Sequence, residues 1–287
     1  MYYLIVLLAT VMMSFEFVFT NKYQANEGAN LVSGLKFNAL TGLFTAIIFF
    51  CFGGFKIELS VFSLIMATIF TVSLISYIVI GMFVLKKGGM AVYSLFLMSG
   101  GMLLPYFFGV LFLNEGISVY RIIGVSLILS AVIISNRMKN SFSPSFYILC
   151  TLIFIFNGFV NIASKYHQVN TVYYAVDNAS FVMYSGITKF IISSIALLFC
   201  KKDKKILSLS KKSSLPAAIG ASAVCGLSFL LQLIGAKELP ATVLYPLITG
   251  GTIVFSAISG IVFFKEKISR SQFIAIFLCV VGTLFFL

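Results

Sequence analysis

Apolar residues fall in long runs separated by short polar connections. A helix crossing the hydrocarbon core of a bilayer needs about 20 predominantly apolar residues, and the runs have that length. They predict ten helices: Tyr2 to Thr20, then about 31–53, 59–83, 91–113, 118–135, 145–164, 177–200, 215–236, 241–264 and 269–287. The first run has no basic residue before it and no small-x-small cleavage pattern, which reads as a retained helix rather than a signal peptide. Only 165–176 and 201–214 are long enough to be more than turns, and the second, from Lys201-Lys202 to Lys211-Lys212, reads as a solvated basic loop.

Composition agrees with the pattern. Of 287 residues 60% are apolar and 10% charged, with mean hydropathy +1.09, whereas soluble domains carry about 25% charged residues. An ordinary soluble enzyme is excluded, and no sizeable extramembrane domain fits. The expected class is an all-α polytopic membrane protein in the cell (inner) membrane.

The net charge of +12 does not indicate nucleic acid, because the basic residues stand between apolar runs rather than on one face. Fourteen of them fall in the odd-numbered connections and four, Lys56, Arg121, Lys165 and Lys237, in the even ones. The excess marks the cytoplasmic side, which puts both termini outside the cytoplasm. Cys51, Cys150, Cys200, Cys225 and Cys279 lie singly in apolar runs and read as packing residues. No metal or cofactor is expected.

The chain also repeats itself. With a shift of about 150 residues, Gly100-Gly101 falls on Gly250-Gly251, Ala91 on Ala241 and Lys87 on Lys237; with one insertion, Glu115-x-Ile117-Ser118 falls on Glu266-x-Ile268-Ser269. Lys22-Tyr23 matches Lys165-Tyr166, and Ser33-Gly34-x-Lys36-Phe37 is similar to Ser185-Gly186-x-x-Lys189-Phe190. The expected architecture is two inverted five-helix repeats, residues 1–140 and 141–287. Five is odd, so the second half enters the membrane upside down.

These paired ends, Lys87-Gly88-Gly89-Met90-Ala91-Val92-Tyr93 with Gly100-Gly101 and Glu115-Gly116-Ile117-Ser118, and Lys237-Glu238-Leu239-Pro240-Ala241 with Gly250-Gly251 and Glu266-Lys267-Ile268-Ser269, resemble the drug/metabolite transporter superfamily in its ten-helix, EamA-like branch. The resemblance implies alternating access around a central cavity lined by helices 1 to 4 and 6 to 9, with helices 5 and 10 peripheral. It leaves the solute open.

Ionisable groups within the bilayer are costly and mark sites by default. Glu16 in helix 1, Lys36 in helix 2 and Lys189 halfway along helix 7 stand out. On one reading Glu16 is a proton-coupling or amine-binding carboxylate and the lysines anchor a carboxylate or phosphate. On the other, Glu16 pairs with a lysine as an interior bridge, or the lysines snorkel to the interface. A basic residue in helix 2 is similar to a recurring EamA-type position. Helices 1 to 4 are also distantly similar to the small multidrug resistance proteins, whose helix-1 glutamate is essential. The spacing from Glu16 to Lys22 is about two residues shorter here, which turns the carboxylate about 200° around the helix. Ser14 occupies the matching position, and Asn157 its counterpart in helix 6.

Asn157, Asn161 and Lys165 form one polar stripe on helix 6; Ser73 with Tyr77, and Ser228 with Gln232, repeat the spacing. Such stripes contact substrate or hold helices together. Tyr93 and Tyr245, near the starts of helices 4 and 9, either close over substrate or anchor at the interface. Gly100, Gly101 and Pro105, with Pro246, Gly250 and Gly251, interrupt the same helix of each half. They read as hinges or as tight packing points.

Catalysis lacks its parts. The one histidine, His167, falls in a connection, and no G-x-S-x-G or H-E-x-x-H occurs. A channel suits a mixed-charge, duplicated interior less well than a stepwise carrier. The expected function is a secondary carrier, not an enzyme, for a small zwitterionic or anionic metabolite such as an amino acid. The alternative is proton-coupled transport of organic cations or amines through Glu16.

Overall fold

The computed structural model describes residues 1–28, 30–86, 90–135, 143–200, 213–265 and 270–286. Lys87-Gly88-Gly89, Arg137, Lys139, the basic loop 201–212 and Glu266-Lys267-Ile268-Ser269 lie outside the described residues. Among the described residues every regular element is a helix, in the order α1 (Tyr2–Glu27), α2 (Leu31–Phe52), α3 (Val61–Lys86), α4 (Met90–Phe112), α5 (Val119–Ser135), α6 (Pro144–Val169), α7 (Asn178–Phe199), α8 (Ser214–Glu238), α9 (Ala241–Phe264) and α10 (Arg270–Leu284).

Local chemistry sets the ends. Asn30 caps α2 by accepting from the Ser33 amide, and Asp177 caps α7 by accepting from the Ala179 and Ser180 amides. Pro144 opens α6, where its missing N–H costs nothing. Two ends differ from the hydropathy reading. Helix α1 continues past Thr20 to Glu27 and stops at Gly28 with φ 85°, because an apolar run measures bilayer crossing while a helix persists until a residue can leave it. For the same reason α6 continues to Val169 and takes in Lys165 and His167, which are therefore not connection residues.

Eight of the helices are long and apolar enough to cross a membrane. Helices α5 and α10 have 17 and 15 residues, and at 1.5 Å per residue a 17-residue helix reaches only about 26 Å, a little under the hydrocarbon thickness of about 30 Å. Large apolar side chains such as Leu4, Ile47, Ile187, Ile195 and Phe273 are exposed around the outside, as a lipid-facing surface requires. The chain is a multi-pass membrane protein.

Packing joins the two halves rather than separating them. The principal contacts are α2 with α7, α1 with α8, α3 with α6, α4 with α6, α5 with α10, α1 with α9 and α4 with α9. Replacing each helix by the one five places along exchanges α1–α8 with α3–α6 and α1–α9 with α4–α6, and leaves α2–α7, α4–α9 and α5–α10 unchanged. Two of these self-paired crossings are reciprocal glycine contacts. A Cβ on Gly42 stands 2.8 Å from the Gly186 carbonyl oxygen and one on Gly186 stands 2.8 Å from that of Gly42; Gly124 and Gly282 face each other at 2.9 and 3.1 Å. Only glycine lets backbones approach this closely. Helices α5 and α10 pack on each other and on α4 and α9, at the edge of the bundle.

Candidate functional site

The middle of the bundle gathers polar groups from five helices. Glu16 lies halfway along α1, within electrostatic range of Lys189 of α7 and beside the Cys225 thiol of α8. Tyr77 of α3 lies within the same field as Glu16, Cys225 and Tyr93. Tyr93 crosses from α4 onto α3, its ring occupying the notch that Gly81 leaves: a Cβ there meets the ring at 2.5 Å. One turn along α7 from Tyr184, the Thr188 hydroxyl sits 2.7 Å from that of Thr71, joining α7 to α3 beside Lys189.

Four residues expected at the site, Glu16, Tyr77, Tyr93 and Lys189, are thus neighbours. Cys225 belongs with them and was expected only as packing; its position on the face of α8 shared with Ser228 and Gln232, at helical spacing, is the signal that marks it. Gln232 stands further along the α1–α8 seam. Its amide donates to Ser228 Oγ at 3.2 Å and to Met13 Sδ at 3.4 Å, while Ser228 Oγ donates to the Ala9 carbonyl at 2.9 Å. Lys36 is apart from the central group along its helix: it stands in the second turn of α2, one turn after Ser33 and well before the Gly42 crossing. Gly186, aligned with Gly34 by sequence, meets Gly42 instead, eight residues later.

The α6 stripe has identified partners. Asn161 Nδ2 donates to the Gly101 carbonyl at 2.7 Å and Asn157 Nδ2 to that of Leu97 at 2.7 Å. Gly101 precedes Pro105 by four residues, so it is the carbonyl that the missing proline N–H leaves without a helical donor. Asn161 supplies that donor, and Tyr245 OH donates to the Asn161 carbonyl at 2.6 Å. Lys165 is 3% exposed and its Nζ donates to the Ala236 and Leu239 carbonyls, both at 2.7 Å, at the C-terminus of α8. Across the same turn Glu115 accepts from the Ala241 and Thr242 amides at 2.7 and 2.9 Å, at the start of α9. A cation on carbonyls and a carboxylate on amides each complement a helix dipole.

The glycines expected as hinges lie at close crossings. A Cβ on Gly100 stands 2.2 Å from the Phe154 carbonyl oxygen, on Gly101 2.5 Å from Asn157 Nδ2, on Gly250 2.8 Å from Thr283 Cγ2 and on Gly251 2.7 Å from Thr10 Oγ1.

At the α2–α3 and α6–α7 connections the buried polar groups are paired. His167 is 2% exposed, stacks on Phe181 with centroids 3.7 Å apart, and shares a hydrogen bond with Ser63 Oγ at 2.9 Å. Ser63 Oγ also accepts from the Val176 amide at 3.0 Å, Ser60 Oγ donates to the Tyr174 carbonyl at 2.5 Å, and the Tyr184 hydroxyl donates to the Glu58 carbonyl. Both ends hold cavities: one of about 350 Å³ lies between the end of α1, the start of α2 and the end of α3, and an apolar one of about 680 Å³ lies between the end of α2, the α2–α3 connection and the start of α7. Among the described residues no group of three or more His, Cys, Asp or Glu is placed to hold a metal.

A helical membrane bundle with a charged, hydroxyl-rich centre has the build of a solute transporter. Residues 144–287 match the EamA-like transporter family, and the chain belongs to that family. It is a membrane transporter of the drug/metabolite type, and members of the family are transporters rather than enzymes. A protein of known crystal structure, 15% identical, superposes over 99% of this chain and 96% of its own with a TM-score of 0.77, and so has the same fold. No curated protein matches the sequence.

Proposed function

We propose that the protein is a secondary active transporter that moves a small zwitterionic or anionic metabolite, such as an amino acid, by alternating access. The observation that carries this reading is the nearness of Glu16 and Lys189, two opposite charges at mid-depth, to Tyr77, Tyr93 and Cys225. Ionisable side chains inside a membrane bundle are costly and mark sites by default, so the retention of both favours a role in binding. Empty, each charge compensates the other. Loaded, the solute ammonium takes Glu16 and its carboxylate takes Lys189, and the two protein charges exchange one partner for another at small electrostatic cost.

The rest of the cycle follows from the packing. The exchange of contacts on moving five helices along, and the reciprocal glycine pairs, support two inverted repeats spanning 1–140 and 141–287, with α5 and α10 as the ninth and tenth crossings. Alternating access would work at the crossings of Gly100-Gly101-Pro105 with α6 and of Pro246-Gly250-Gly251 with α1, where the two repeats meet. The basic excess assigns the α1–α2 end to the cytoplasm and both termini to the other side. In that orientation the His167 end is outward and the α1–α2 end is inward.

Uptake of labelled amino acids into proteoliposomes, with ligand-induced thermal shifts on a metabolite panel at two pH values, tests the reading. Lys189→Met and Glu16→Gln are each expected to weaken a zwitterion at least tenfold. Loss of binding in Glu16→Gln alone, with amines as the stabilising ligands and a shift that depends on pH, selects the second reading, proton-coupled transport of organic cations. What favours that reading is the place of the one central carboxylate, Glu16, beside the Tyr77 and Cys225 side chains.

A further inference from the structure

The exchange of contacts between the two halves has an exception. Moving five helices along relates α6–α8 to α1–α3. Helix α6 packs on α8, whereas the described residues of α1 and α3 form no comparable crossing. Lys165 fastens the first of these: its Nζ donates to the Ala236 and Leu239 carbonyls, both at 2.7 Å, and Leu239 is the residue that ends α8. The same turn is held from the side by Glu115, on the Ala241 and Thr242 amides, and by Arg121, whose guanidinium donates to Thr242 Oγ1 at 3.0 Å.

At the other end the corresponding helices stand apart. The cavity of about 350 Å³ is walled by Tyr23 and Gln24 of α1, by the start of α2, and by Met82 and Leu85 of α3, so it separates the two helices whose counterparts cross. The register that pairs Lys22-Tyr23 with Lys165-Tyr166 makes Lys22 the counterpart of Lys165. The two lysines differ as the two crossings do: Lys165 is 3% exposed, and Lys22 is on the surface. A helix C-terminus presents carbonyls without an intrahelical donor together with the negative end of the helix dipole. Helix α3 ends in this way at Lys86, next to Leu85 of the cavity wall.

We propose that Lys165 and Lys22 are alternate clasps of the transport cycle. In this conformation Lys165 ties α6 to the end of α8. In the opposite conformation Lys22 ties α1 to the end of α3, the cavity between them closes, and the Lys165 clasp is released. Both are positioning residues that act through helix ends; Lys22 lies six residues past Glu16, about 9 Å along α1. The alternation is a step of the alternating-access cycle proposed above and rests on that reading. The apolar cavity of about 680 Å³ at the Lys165 end leaves the clasp intact, since neither α6 nor α8 contributes to its wall.

Cys225, halfway along α8 and beside Glu16, can report which end admits water. The full-length protein in sealed membrane vesicles of either orientation is treated with an impermeant methanethiosulfonate, and modification of Cys225 is followed by peptide mass spectrometry. The wild type is expected to react from both sides, faster from the α1–α2 side. Lys165→Met is expected to speed reaction from the α6–α7 side at least tenfold and to slow it from the α1–α2 side. Lys22→Met is expected to do the reverse, slowing reaction from the α6–α7 side at least tenfold, with the wild-type ratio restored in Lys22→Arg. A lysine that only holds the fold together lowers Tm without moving the ratio between sides. Because Lys22 is on the surface, its variants are expected to fold even if Lys165→Met does not, and an unchanged ratio in Lys22→Met overturns the proposal whatever Lys165→Met does. Wild-type reaction from both sides, with a ratio that neither variant moves, overturns the clasps and leaves alternating access standing. Reaction from one side alone in every protein overturns both.

Discussion

The two ends of the bundle solve the same problem in opposite ways. Where α6 meets α7 and α8 meets α9, buried polar groups are matched: Lys165 and Glu115 hold the α8–α9 turn, and His167, Ser63 and Ser60 fasten the α6–α7 connection to α3. Where α1 meets α2, the Tyr23 and Ser33 hydroxyls have no hydrogen-bond partner among the described residues, and a cavity stands beside them. Apolar packing is available at both ends, so the difference lies in polar satisfaction. Satisfied networks rigidify and unsatisfied ones leave room for exchange.

The contrast can be broken experimentally. The largest effect is expected from Lys165→Met, which removes a buried cation and leaves the Ala236 and Leu239 carbonyls without their donor; a loss of about 3 kcal/mol should appear as a lower Tm in detergent. Ser63→Ala should cost less, about 1–2 kcal/mol, because the His167 ring keeps its stacking on Phe181 when the hydroxyl is gone. Hydrogen exchange should then rise in the α6–α7 connection and stay unchanged at α1–α2. The smallest effect is expected from Tyr23→Phe in the absence of ligand: no loss, or a gain of up to about 1 kcal/mol. A loss there as large as that of Ser63→Ala would mean that the Tyr23 hydroxyl is satisfied in the membrane, and the two ends would be alike.

How far the sequence carries this picture depends on what each residue has to reveal. Hydropathy located the ten helices, and rarity of charge located Glu16 and Lys189, because both signals follow from the cost of polar groups in lipid. Partner choice was not legible in the same way. Asn157, Asn161 and Lys165 form a stripe that fits substrate contact as well as helix bonding, and periodicity does not distinguish them. The decisive mark was present but indirect: Pro105 frees a carbonyl at Gly101, and a donor on a neighbouring helix must take it. The run 31–53 hides Gly42, since a glycine inside an apolar stretch looks like many others until the helix across from it is known to be α7. His167 was misplaced because its polar neighbours end the apolar run before they end the helix.

The cross-pairing of the halves also has a consequence for biogenesis. Helix α1 finds its main partners in α8 and α9, and α3 finds its main partners in α6 and α7. During synthesis the first five helices therefore emerge with few contacts to each other, and Glu16 waits in the bilayer until Lys189 and Cys225 have been made. Assembly is late and cooperative, so a chain truncated after α5 presents a polar helix face with nothing to cover it, which is the kind of surface that membrane quality control removes.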